Sequence, residues 1–129
     1  MTTMTPERVV ATEQILVAIV GAASVESALR GAFDEAERRG AAVRVVAAGP
    51  ASAVYDAFLR DVVERWAEKY PGVPVSTDVR RQLDAAVTLV AATRTCASAF
   101  VPGSSNPISA AVLRALTRRA HCPLVVVDE

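Results

Sequence analysis

The sequence predicts an α/β domain: a five-stranded parallel sheet with helices on both faces. Three observations carry this expectation. Short, largely apolar runs stand at residues 15–20, 43–48 and 123–127, and the first is continuous rather than alternating, as in a strand buried on both faces. Longer segments with apolar residues at helical spacing lie between the runs. Glycine and proline pairs, Gly49-Pro50, Pro71-Gly72 and Pro102-Gly103, punctuate the alternation.

Residues 1–12 read as a short polar tail, leaving 13–129 as one domain. The first strand, 15–20, ends at Gly21, and Ser24 is placed to cap the helix that follows. In that helix Val25, Ala28, Leu29, Ala32, Phe33 and Ala36 recur at helical spacing. Arg38 and Arg39 stand near its end, and Gly40 supplies the stop. A second buried strand covers 43–48. Val54, Phe58, Val62 and Trp66 then step by four along an amphipathic helix that ends near Tyr70.

Val73, Val75, Thr77 and Val79 alternate, which predicts a half-exposed edge strand. An alanine-rich helix covers 83–92 and a short strand 98–101. Asn106 and Pro107 form an N-cap and first-turn pair for a helix whose stripe is Ile108, Ala111, Val112, Ala115 and Leu116. The last strand is 123–127. Strand and helix alternate throughout, so right-handed crossovers give a flavodoxin-like strand order, 3-2-1-4-5.

Composition excludes several functions. The 129 residues are 52% hydrophobic and 22% charged, a globular balance. Fourteen basic residues offset fourteen acidic ones, so no net field draws the chain to nucleic acid or a membrane surface. Aromatic residues are only 5%, too sparse for a base-stacking platform. The apolar run from Ile15 to Ala23 is too short to span a bilayer, and acidic Glu7 and Glu13 precede it where a secretory leader is basic. Cys96 and Cys122 lack metal-ligand spacing and read as reduced, buried thiols of a cytoplasmic protein.

In the predicted strand order the first and fourth strands send the chain to opposite sides. Ligands of such sheets sit in the crevice this reversal opens, at the carboxyl ends of those strands. The candidate site is therefore two short loops, Gly21 to Ala23 and Pro102 to Asn106, the second holding Gly103, Ser104, Ser105 and Asn106. The second loop precedes a helix N-terminus, where exposed N–H groups and the dipole favour an anion. Its ordinary alternative is a polar loop in which Asn106 caps its own helix. A Ser104, His121 and Asp128 triad fails on geometry, because His121 and Asp128 flank the last strand about 20 Å apart.

Four segments carry a family resemblance. Ile15-Leu16-Val17-Ala18-Ile19-Val20-Gly21 is similar to the opening strand of the universal stress proteins. Ser27-Ala28-Leu29-Arg30 through Arg39-Gly40-Ala41 resembles their first helix and turn. Trp66-Ala67-Glu68-Lys69-Tyr70-Pro71-Gly72-Val73-Pro74-Val75 resembles a segment of their actinobacterial members, and Ala120-His121-Cys122-Pro123-Leu124-Val125-Val126-Val127 resembles their ending. The resemblance implies a dimeric, usually cytoplasmic stress-response domain without established catalysis in many members. It also implies two branches, one of which binds ATP through an Asp after the first strand and a G-x2-G-x9-G-[S/T] loop.

Measured against that pattern, Val20 stands at the Asp position, and Gly103 matches the first loop glycine. Asn106 stands at the second glycine, Ala110 and Ala111 at the final pair, and the spacer shrinks to residues 107–109. The expectation is a non-enzymatic stress-response protein with no cofactor and no bound ATP. The alternative is a small-ligand sensor taking AMP, another nucleotide or an anion at Gly103 to Asn106. An enzyme of this fold is disfavoured because no base, nucleophile or metal set is placed.

The partner expectation is a symmetric homodimer through the last strand. Leu124, Val125, Val126 and Val127 form a short apolar run at the sheet edge, which invites pairing with another chain. The resemblance implies the same pairing across a two-fold axis, and leaves open a heterodimer with an intact family member.

Overall fold

Ten elements follow one another in the computed structural model, which describes residues 13–103 and 107–127. They are β1 (Gln14–Val20), α1 (Glu26–Arg39), β2 (Ala42–Ala48), α2 (Ala53–Lys69) and β3 (Val75–Arg80). The second half holds α3 (Ala85–Ala92) with a 3-10 turn (Thr93–Thr95), β4 (Ser98–Pro102), α4 (Pro107–Arg119) and β5 (Leu124–Val127). The sheet order is β3-β2-β1-β4-β5 with every pairing parallel, as the alternation of strand and helix requires. The expected tail at 1–12, and Ser104, Ser105, Asn106 and Asp128, lie outside the described residues.

Two cores follow from the two faces of the sheet. Along β1, Ile15, Val17 and Ile19 point to α1 and α2, while Leu16 and Ala18 point to α3 and α4. All five are fully buried, which is why the run reads as continuously apolar. The first core adds Leu29, Phe33, Leu59, Val62 and Trp66. Phe33 stacks on Trp66 at 6.3 Å between ring centroids and tilts against Tyr70 at 5.4 Å. The second core is smaller and is built from Val46, Leu89, Cys96, Ala99, Val101 and Leu116.

Helix boundaries obey local chemistry with one exception. Ser52 accepts from the Tyr55 N–H at 3.1 Å and Asp84 from the Val87 N–H at 2.9 Å, each capping its helix. Helix α1 stops at Gly40, where φ is 65° and the chain turns left-handed. Ser24, however, does not cap α1. The N-cap position belongs to Val25, which makes no side-chain cap bond and is itself buried in the first core. Burying Val25 sets where the helix begins.

The stripe of α2 is also displaced from the expected one. Val62 and Trp66 are buried, but Val54 is 80% exposed and Phe58 49%, while Leu59 and Val63 face the sheet. Each step of four residues overshoots a helical turn by about 40°, so three steps back from Trp66 leave the buried face. Helix α3 begins at Ala85 rather than Leu83, and Leu83 is half-exposed. Strand β3 is an edge strand as expected, with Val75 and Val79 packed against the first core.

Candidate functional site

The carboxyl ends of β1 and β2 meet in a tight double turn. Gly21 has φ of 63° and donates its N–H to the Ala48 carbonyl at 2.8 Å. Gly49 has φ of 85°, and a Cβ there would lie 3.5 Å from the Gly21 nitrogen and 3.7 Å from the Ala85 Cβ. Both the backbone angle and the crowding favour glycine.

A guanidinium closes this mouth. Arg81, just past β3, donates through Nη1 to the carbonyls of Gly49 at 2.8 Å, Gly21 at 3.2 Å and Ala48 at 3.4 Å. Its Nε and Nη2 both reach Asp56 Oδ1, at 3.0 and 2.6 Å, and its Cζ lies 5.7 Å from the centroid of the Tyr55 ring. Only 15% of the Arg81 side chain and 22% of Asp56 are exposed. The Tyr55 hydroxyl donates to the Ala23 carbonyl, tying α2 to the loop after β1. Burial pushes the Tyr55 phenol above its ordinary range, with the nearby Arg81 charge opposing the rise.

The residues singled out in the sequence belong to the neighbouring crevice, between the ends of β1 and β4, and occupy it unevenly. Val20 ends β1 half-buried against the second core, and its side chain offers no polar atom. The Gly103 N–H donates to the Val127 carbonyl at 2.9 Å, so β4 and β5 consume it. Ala110 and Ala111 lie inside α4. The remaining loop residues, Ser104, Ser105 and Asn106, are outside the described part of the chain. Beside Arg81 a cavity of about 420 Å³ opens between Pro50, Ala85, Ala86 and Val112.

Other features keep their ordinary roles. His121 is an exposed turn residue whose N–H donates to Thr93 Oγ1 at 3.0 Å. Trp66 belongs to the core, and its Nε1 donates to Glu26 at 3.0 Å. Arg114, Arg118 and Arg119 are exposed on α4. Cys96 is buried, whereas Cys122 is only half-buried, and burial pushes both thiols up so that they stay protonated at neutral pH. Strand β5 is the sheet edge beyond β4, with Val125 42% and Val126 49% exposed.

No protein-family model and no curated protein matches the sequence. Solved structures do match its shape. A universal stress protein from Archaeoglobus fulgidus DSM 4304 superposes with a TM-score of 0.68 at 16% identity, covering 91% of this chain. The chain spans 44% of the length of that relative. A second Archaeoglobus fulgidus universal stress protein, in complex with dAMP, gives a TM-score of 0.62 at 15% identity, covering 89% of this chain and 96% of its own. The fold is that of the universal stress proteins. A further protein of this fold, in complex with cAMP, gives 0.63 at 19% identity over 92% of this chain and 98% of its own. Among the described residues of this universal stress protein fold, no helix is long and apolar enough to cross a membrane.

Arg81 is not among the residues that the sequence pattern singles out. Its acceptors are main-chain carbonyls from residues 32 to 60 positions away, and its carboxylate partner is 25 positions away. The one local signal is an arginine directly after a strand of a parallel sheet, at the end where ligands collect.

Proposed function

We propose that this chain is a universal stress protein family member that works as a non-enzymatic cytoplasmic dimer and does not take ATP. The observation that carries this reading is the Arg81 closure. A nucleotide entering the mouth of β1 and β2 has to displace a guanidinium held by three carbonyls and by Asp56. Val20 and the occupied Gly103 N–H support the same reading, since neither offers a polar contact to a ligand. With the mouth of β1 and β2 closed on one side of the crevice, the exposed edge of β5 is the working surface.

The test is calorimetric titration of the purified protein with ATP and AMP, after a denatured sample has been checked for released nucleotide. The expected result is no heat of binding and an unshifted melting temperature. Micromolar binding of ATP overturns the reading.

A second reading, a sensor for AMP or another small nucleotide or anion, is favoured by two observations. Two proteins of this fold are solved with dAMP and cAMP. The cavity of about 420 Å³ beside Arg81 falls within the usual ligand range of about 300–1,000 Å³. AMP binding without ATP binding in the same titration selects this second reading.

A further inference from the structure

A second concavity lies on the sheet face itself, away from the carboxyl-end crevice. Helix α3 has eight residues and is about 12 Å long, whereas the seven-residue β2 beneath it runs about 23 Å. The helix therefore leaves part of β2 and β3 uncovered. The groove that results is about 300 Å³, with Arg44, Asp78 and Arg80 on its floor and Leu83, Val87 and Ala91 on its wall.

The charges in this groove do not balance. Arg80 takes both oxygens of Asp78, Nε to Oδ1 at 2.8 Å and Nη2 to Oδ2 at 2.7 Å. That fork-on-fork pairing engages both carboxylate oxygens. Arg44 approaches the same Oδ2 only to 3.7 Å and makes no hydrogen bond among the described residues, although its side chain is just 28% exposed. Two guanidiniums thus share one carboxylate, and the second is held on a half-buried sheet face whose next inward positions on the strand are Val46 and Ala48. Beside it, Leu83 is 51% and Val87 63% exposed. Large apolar side chains are uncovered next to a cation whose one carboxylate partner is already hydrogen-bonded by Arg80.

We infer that this groove binds a small organic carboxylate with an apolar tail. Its carboxylate completes the coordination of Arg44 as a planar acceptor for the guanidinium fork. Its tail covers Leu83, Val87 and Ala91, removing apolar surface from water. The groove volume, at the lower end of the ligand range, suits a molecule of this size.

Sodium octanoate is the probe, with acetate as the tail-less and octanol as the charge-less control. Amide chemical shifts and calorimetry follow binding to the wild type, Arg44→Met and Val87→Asp. The expected result is octanoate binding at least tenfold tighter than either control, with shifts centred on Arg44, Val87 and Ala91. Each variant is expected to weaken it at least tenfold. Octanoate binding that is absent, matched by a control, or retained by either variant overturns the inference. Val87→Asp sits at an exposed position and keeps the fold, so it decides the matter if Arg44→Met folds poorly.

Discussion

Arg81 shows how much one side chain can organise when its partners are backbone carbonyls. It joins the ends of β1 and β2 to the first turn of α2, three elements that sequence distance keeps apart. Replacing it with methionine strands the Asp56 carboxylate and leaves the three carbonyls without that donor. Urea unfolding of Arg81→Met is expected to show a loss of about 2–4 kcal/mol. Adding Asp56→Asn to that variant is expected to cost less than the two single changes summed, because the second partner is already orphaned. Asp78 supplies a pH signature. The hydrogen bonds from Arg80 hold its carboxyl below the ordinary aspartate range, with Arg44 adding a smaller Coulombic pull. A depressed folded-state value means a contribution present above the ordinary value near 3.9 and lost as pH falls through the folded one. The expected outcome is that Arg80→Gln raises the Asp78 midpoint in a carboxyl NMR titration. The change in stability is expected to stay under about 1 kcal/mol, since both groups are partly solvated.

At the scale of elements, the strands were the most legible part. A parallel strand buried on both faces has to be apolar at every position, and Ile15 to Ile19 satisfy that without interruption. Helix faces were less legible, because a stripe is defined by the partner it covers. Val54 and Phe58 match the spacing of Val62 and Trp66, yet only the sheet decides that Leu59 and Val63 are the residues turned inward. Leu59→Ala is therefore expected to cost about 2–5 kcal/mol in denaturant unfolding, and Val54→Ala no more than about 0.5 kcal/mol. Equal effects would restore the simple four-residue stripe. The groove over β2 and β3 was not legible at all. It depends on α3 being shorter than the strands below it, and on Arg80 rather than Arg44 winning Asp78. The crevice between β1 and β4 was legible in position through strand order, but the closure of the neighbouring β1–β2 mouth was not, since a carbonyl acceptor carries no residue signature.

The whole molecule has two unlike margins. Strand β5 presents Val125 and Val126 to solvent, whereas β3 carries Ser76, Asp78 and Arg80 along its length. Charged side chains on an edge strand deter pairing, and apolar ones invite it. A Val126→Lys substitution is expected to halve the mass measured by light scattering, while Ser76→Lys on the opposite margin leaves it unchanged. A wild-type mass equal to one chain at micromolar concentration would count against pairing through β5.

The two sides of the sheet also carry separate spectroscopic labels. The single tryptophan, Trp66, is 7% exposed in the layer beneath α1 and α2, with the Lys69 ammonium 4.4 Å from its ring. Both cysteines, Cys96 and Cys122, belong to the opposite layer. Tryptophan emission thus reports the integrity of one half, and trapping of the buried Cys96 thiol by a fast alkylating reagent reports the other. In a chain that melts as one cooperative unit, the two curves superimpose. If the smaller layer opens first, cysteine trapping precedes the fluorescence change, resolving a sub-global opening within a single native, unlabelled protein.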